Sequence, residues 1–136
     1  MILKNEYIIL VLMLILHIFA DFHLQGILAN LKQKKWWKEE LKKYNFDDEE
    51  KEYYKYDWIP ALLAHSFEWS FFIMLPFLFV EVPVWVYVIL LIFNTGLHFG
   101  IDHAKCNAHA LNLWGDQLFH IIQILFTWYI LSEIIF

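Results

Sequence analysis

PVWVYVILLIFNTGLHFGIDHAK, residues 83–105, is the stretch on which the fold turns. From Pro83 to Ile101 it is apolar for most of its length, and then it turns polar at Asp102. A hydrocarbon core of about 30 Å needs roughly 20 residues of helix, and this run matches that need. Three further runs have the same character, at about 7–29, 58–80 and 113–136. The first and third end polar, while the second and fourth begin polar and finish apolar. Four spans of alternating direction therefore bring their polar ends to one side. The expected fold is all-α: a polytopic membrane four-helix bundle in one domain, residues 1–136, with an amphipathic segment at its cytoplasmic side.

Composition supports this reading. Hydrophobic residues make up 60% of the chain and aromatics 20%. Soluble domains reach only about 45–50% apolar even with glycine counted. The formal charge is −5, yet eight of ten Lys and eight of fifteen acids fall within 31–57. There is no Arg, which argues against a nucleic-acid partner, since gripping phosphate favours the guanidinium fork. A single cysteine, Cys106, excludes an intrachain disulfide. A cleavable signal peptide is a poor reading of the first run, which is long, has no A-x-A site after it and carries a motif of its own.

Lysine sets the expected orientation. Eight Lys lie between spans one and two, Lys105 lies after span three, and Lys4 precedes span one. The positive-inside rule places 31–57 and 103–112 in the cytoplasm and both termini outside, as in a multi-pass protein of a bacterial inner membrane. The Lys32–Lys43 stretch, with Trp36 and Trp37, reads as an amphipathic helix on the inner leaflet. The acidic run Asp47–Glu50 reads as a solvated loop, and the whole insert as surface and linker. Pro83 follows a tight hairpin, Pro60 suits a first helical turn, and Pro76 is expected to kink span two.

Ionisable side chains inside a span are costly, by about 2.5–3.5 kcal/mol per Asp or Lys at the centre on insertion scales. Here they are ordered. Spans one and three carry His17-x-x-x-Asp21 and His98-x-x-x-Asp102, whereas span four, running the other way, carries Asp116-x-x-x-His120. Four residues make about one turn on one face. With alternating directions, His17, His98 and His120 lie deeper, and Asp21, Asp102 and Asp116 lie one turn nearer the cytoplasm. His65 of span two joins the histidine layer. A faint repeat accompanies this order. Leu16-His17-x-x-x-Asp21 matches Leu97-His98-x-x-x-Asp102, and Leu63-x-His65 matches Leu118-x-His120, so the bundle reads as two related hairpins about an axis along the membrane normal. Ala61 stands where Asp116 would align.

Imidazole and carboxylate together suit a divalent metal, Zn²⁺ first, with Fe²⁺ or Mn²⁺ as alternatives. Seven candidate ligands (His17, Asp21, His65, His98, Asp102, Asp116 and His120) exceed the needs of one tetrahedral ion. Either two ions bind, or some aspartates orient imidazoles. Surplus acid and base groups favour chemistry over a closed structural site, with Asp21, Asp102 and Asp116 as candidate catalytic groups. Gln25 and Gln117 either orient a carboxylate or substrate, or serve as helix–helix hydrogen bonds. Lys105 either grips an anionic head group or is a snorkelling topology signal. Asn94 fits interhelical bonding better than ligation. Glu68 is a candidate for the missing carboxylate, and His23, His103 and His109 fall off the spacing. The rest of the Trp and Tyr residues read as interface belt.

The ordered set His17-x-x-x-Asp21-Phe22-x-Leu24-Gln25, His65, His98-Phe99-x-Ile101-Asp102-x-x-Lys105 and Asp116-Gln117-x-x-His120 resembles a family of small bacterial and phage inner-membrane proteins, domain of unknown function three-three-zero-seven. The resemblance covers all four spans, and the 31–57 insert is longer than is usual in that pattern. More loosely, the chain resembles membrane-bound metal-dependent hydrolases with His-x-x-x-Asp spans. No established activity follows from either likeness.

The leading expectation is an intramembrane metal-dependent hydrolase of a lipid or lipid-linked, phosphate-bearing substrate, with the lipid bilayer as its surroundings and homo-oligomerisation left open. Its rival is a metal-ion or proton transporter using the same cluster, against which the nearly pure apolarity of the outer halves counts. A third reading is a phage or mobile-element membrane protein binding a host partner through 31–57.

Overall fold

The computed structural model describes residues 5–135. Lys4 and Phe136, which enter the topology and the fourth expected span, lie outside the described residues. Among the described residues the fold is all-helical, without a strand. Helix α1 (Glu6–Ile18) starts at Asn5, whose Oδ1 accepts from the N–H groups of Tyr7 at 2.9 Å and Ile8 at 3.4 Å. Such a cap satisfies donors that the first turn cannot pair internally. The helix runs on through a π-helical turn, Phe19–Leu24. Gly26, at φ 47°, breaks it there. A left-handed residue suits glycine and ends a helix, so the first span does not continue to residue 29 as expected.

Two short helices follow, α2 (Leu28–Leu31) and α3 (Lys34–Lys43). Helix α4 (Asp48–Tyr53) replaces the loop expected over the acidic run. Its cause is a capping box: the Glu50 N–H donates to Asp47 Oδ1 at 2.8 Å and the Asp47 N–H donates to Glu50 Oε2 at 2.9 Å. Helix α5 (Trp58–Met74) tightens at Pro76 into a 3-10 turn, Leu75–Phe79. Proline lacks the N–H that would continue the α ladder, which is the expected disturbance at that position. After the Val80–Pro83 hairpin come α6 (Val84–Cys106) and α7 (Leu113–Ile135). Helix α6 thus runs past Ile101 and carries Asp102 and Lys105 within its last turns.

Four helical stretches are long and apolar enough to cross a membrane: Glu6–Leu24, Asp48–Phe79, Val84–Cys106 and Leu113–Ile135. They form a ring in chain order. Helix α1 packs on α5 and α7, and α6 packs on the same two. The related spans α1 and α6 therefore stand at opposite corners, as do α5 and α7, which is what a pseudo-twofold axis along the bundle requires.

The partition of residues is inside-out. Val11, Ile15, Ile92, Ile122 and Phe126 are exposed, whereas the histidines and aspartates are buried. Such a belt of exposed aliphatic and aromatic surface suits hydrocarbon. At the far end of the bundle Ile9, Met13, Ile73, Phe77, Leu90 and Leu131 fill an apolar core, and Trp128 donates its indole N–H to Glu6 O at 2.9 Å. At the other end, Asn107 ties α6 to the insert: its Nδ2 donates to Lys32 O at 3.0 Å and its Oδ1 accepts from the Lys34 N–H at 2.8 Å.

Candidate metal centre

All seven expected ligands are buried, each at 5% exposure or less. Their placement follows from helix geometry. His98 and Asp102 lie one turn apart on α6, and Asp116 and His120 lie one turn apart on α7. Asp21 hangs from the π turn of α1, whose wider winding re-aims it relative to His17. His65 comes from α5.

Asp102 sits at the middle. Its Oδ1 lies 3.4 Å from His120 Nε2 and 3.8 Å from His98 Nε2, while its Oδ2 lies 3.3 Å from His65 Nε2. His65 Nε2 is also 3.3 Å from His98 Nε2 and 3.7 Å from Asp21 Oδ1. His120 Nε2 is flanked on its other side by Asp116 Oδ1 at 3.4 Å. One ligand atom from each of Asp21, His98, Asp102 and His120 lies within 4.8 Å of the others. This buried group can hold a metal ion.

The donor set supports that statement in two ways. First, two ligands of a tetrahedral ion bound at about 2.1 Å stand roughly 3.4 Å apart, and the closest contacts in the cluster have that spacing. Second, Asp102 Oδ1, Asp116 Oδ1 and His120 Nε2 are buried with no hydrogen-bond partner. Buried polar atoms are nearly always paired, so unpaired ones facing each other call for an ion, a water or a proton between them.

His17 stands one step back. Trp69 donates its indole N–H to His17 Nδ1 at 2.9 Å, and His17 Nε2 is 3.1 Å from Gln117 Oε1. An indole N–H only donates, so Nδ1 is the acceptor and Nε2 carries the proton that goes to Gln117. Both ring nitrogens are thereby engaged with protein. Gln117 passes the constraint on, its Nε2 donating to Asp21 Oδ2 at 2.6 Å and lying 3.1 Å from Asp116 Oδ2. Gln25 donates to Asp21 Oδ1 at 3.0 Å and to the Asp21 carbonyl. Both glutamines thus donate to a carboxylate, Gln25 within its own segment and Gln117 across from α7 to the turn that follows α1.

Lysines close the cluster on the side of the insert. Lys105 Nζ is 2.5 Å from Asp116 Oδ2, and Lys32 Nζ is 2.5 Å from Asp102 Oδ2. Each ammonium takes the Oδ2 of its carboxylate and leaves Oδ1 facing His120. Lys32, at 6% exposure, was not singled out in the sequence, where it is one lysine among eight in the insert. That part of the insert is therefore not surface or linker. Trp69 also escaped notice. It is fully buried and stacks on His98, centroids 4.2 Å apart, while His98 stacks on His120 at 4.3 Å. Its place four residues after His65, the same spacing that links the His–Asp pairs, was the available signal.

The remaining candidates lie apart. Glu68 is half-buried and makes no ion pair with the cluster among the described residues, and His65 meets Asp102 at 3.3 Å and Asp21 at 3.7 Å instead. His103 stacks on Trp58 at 5.1 Å, His23 on Phe19 at 5.7 Å, and His109 is exposed. Asn94 makes interhelical bonds, its Oδ1 accepting from Gln123 Nε2 at 2.8 Å and Thr127 Oγ1 at 3.0 Å. With Ser66 and Ser70 buried as well, polar groups continue beyond the histidine layer, so the outer halves are less purely apolar than the sequence suggested.

Neither protein-family models, curated proteins nor solved structures match this chain.

Proposed function

We propose that the chain is an intramembrane metal-dependent hydrolase acting on a lipid or lipid-linked, phosphate-bearing substrate at the cytoplasmic side of a bacterial inner membrane. The observation that carries this reading is the trio Asp102 Oδ1, Asp116 Oδ1 and His120 Nε2, buried and unpartnered, with Nε2 3.4 Å from each oxygen. Charge points the same way. Three buried carboxylates are met by two lysines, and one negative charge left in a dry interior is costly without a cation or a proton to offset it.

In this proposal Asp21, His98, Asp102 and His120 hold the ion, with His65 and Asp116 available to complete its shell or to bind a second one. Zinc matches the mixed nitrogen and oxygen donors best, and iron or manganese would suit the same set. A bound divalent ion lowers the pKa of water and polarises a phosphoryl or carbonyl oxygen. The protein supplies the rest. His17, fixed in one tautomer, locks Gln117, which sets the angle of Asp21. Asp116, which lies outside the four-ligand group and is 3.4 Å from His120, is placed to take and return a proton at Oδ1 where it does not join the shell. Lys105, half-buried at the edge, is placed to leave Asp116 for a substrate phosphate. The orientation with 31–57 and 103–112 inside and both termini outside, and the family resemblance of the ordered motifs, belong to the same proposal. Release of phosphate or head group from bilayer lipid by the reconstituted protein tests it. The activity is expected to vanish with a chelator, return with the metal, and fail in Asp116→Asn. Lipid that stays intact with metal-loaded protein overturns the hydrolase.

One observation favours a second reading, transport of a proton or metal ion. The Asn94–Gln123–Thr127 hydrogen bonds continue the polar interior from the histidine layer toward the far end. Ion flux into liposomes that requires Asp116 would select this reading over hydrolysis.

A further inference from the structure

The lysines of helix α3 fall into two sets by their partners. Lys35 and Lys43 are paired with Glu39 and Glu40, each at 3.6 Å. Lys34, Lys38 and Lys42 recur at i, i+4 and i+8 and have no carboxylate partner among the described residues. Like charges at this spacing repel along a helix. All three line a groove of about 800 Å³ between α3, α4 and the start of α5. The floor is aromatic: Trp37 stacks on Tyr54 with planes 8° apart, and Lys34 Nζ lies 4.3 Å over the Trp58 ring. Asp48 and Glu52 on the rim are already engaged by Lys51 at 3.0 Å and Lys55 at 2.7 Å.

The groove lies at the end of the bundle where the insert meets the spans, and Trp58, in its wall, stacks on His103 next to Asp102. A row of ammonium groups without carboxylate partners above an aromatic and aliphatic floor, at the end of the bundle where the insert joins the spans, has two-part chemistry. It matches a ligand with a negative head and an apolar body. We infer that this groove binds the phosphate head group of an anionic phospholipid, the lysines of α3 holding the phosphate and Trp37 and Leu41 lying against the glycerol and upper acyl chain. The inference rests on the membrane placement of the bundle and not on the metal. It deepens the proposed function by giving the lipid a resting place beside the site.

Titration of the detergent-purified full chain with phosphatidylglycerol or phosphatidylcholine, read by native mass spectrometry, tests it. The wild type is expected to retain phosphatidylglycerol at about tenfold lower lipid concentration than phosphatidylcholine. Lys38→Gln with Lys42→Gln is expected to remove most of that preference. Lys35→Gln with Lys43→Gln, which deletes the same charge from the paired positions, is expected to keep it. Equal loss in both doubles would mean diffuse surface charge and overturn the site, as would no loss in the first double or no preference in the wild type. Displacement of the lipid by millimolar inorganic phosphate would overturn the lipid as occupant. Metal content measured on the same samples separates a failure here from a failure of the metal centre.

Discussion

Trp69 gives its indole N–H to Nδ1 of His17, 2.9 Å away, and so decides which nitrogen of that imidazole holds the proton. The bond joins α5 to α1, and its effect passes through Gln117 to the carboxylates of Asp21 and Asp116. A histidine of the expected ligand layer thereby acts through others.

Trp69→Phe keeps the aromatic stacking on His98 but deletes the donor to His17. Removal of such an orienting partner commonly weakens a metal site about 10–100-fold. Competition with a chelator should show a loss of that size in Trp69→Phe while the ion stoichiometry at saturation stays unchanged. An unaltered affinity would mean that His17 and Gln117 do not position the ligands.

Lys32→Met removes the ammonium from Asp102 and leaves a buried carboxylate exposed to its own desolvation cost. Breaking one side of a buried pair costs about 3–5 kcal/mol. The metal-free variant is therefore expected to unfold at markedly lower denaturant than the wild type. Because a cation can take the place of the lost charge, added metal should restore more stability to Lys32→Met than it adds to the wild type. Equal increments would show that Lys32 and the ion do not share Asp102.

Asn94→Leu strips the side-chain acceptor from Thr127 Oγ1 and one of two acceptors from Gln123 Nε2, which keeps the Asn94 carbonyl at 2.9 Å. Buried polar groups left unpaired cost about 1–3 kcal/mol, and the loss should appear in unfolding measurements. Metal stoichiometry should stay the same. If flux through liposomes exists and falls with this variant while hydrolysis does not, the polar interior serves transport.

Much of the centre was legible because hydropathy and spacing speak together. His98 and Asp102, and Asp116 and His120, recur at i,i+4 on spans whose directions alternate, and the helices bring them into one buried cluster. What the helices add elsewhere lies outside such arithmetic. The π turn re-aims Asp21 relative to His17 without any change in spacing. Lys32 reaches Asp102 only because the chain breaks at Gly26 and folds back under α6, and nothing in a run of eight lysines marks it. The capping box of Asp47 and Glu50 was written in the acidic run, but charge density disguised it as a loop. Gln123 and Thr127 also stand one turn apart, and the surrounding aliphatics hid them in the average hydropathy of the span.

Elemental analysis of the detergent-purified full chain decides whether the buried cluster holds a cation. One or two divalent ions per wild-type chain are expected, with loss of stoichiometric metal in a folded Asp102→Asn variant. A folded wild type that purifies without bound metal and takes up none on addition would contradict that expectation, and the histidines and aspartates would then be a proton-bridged network fixing the helices.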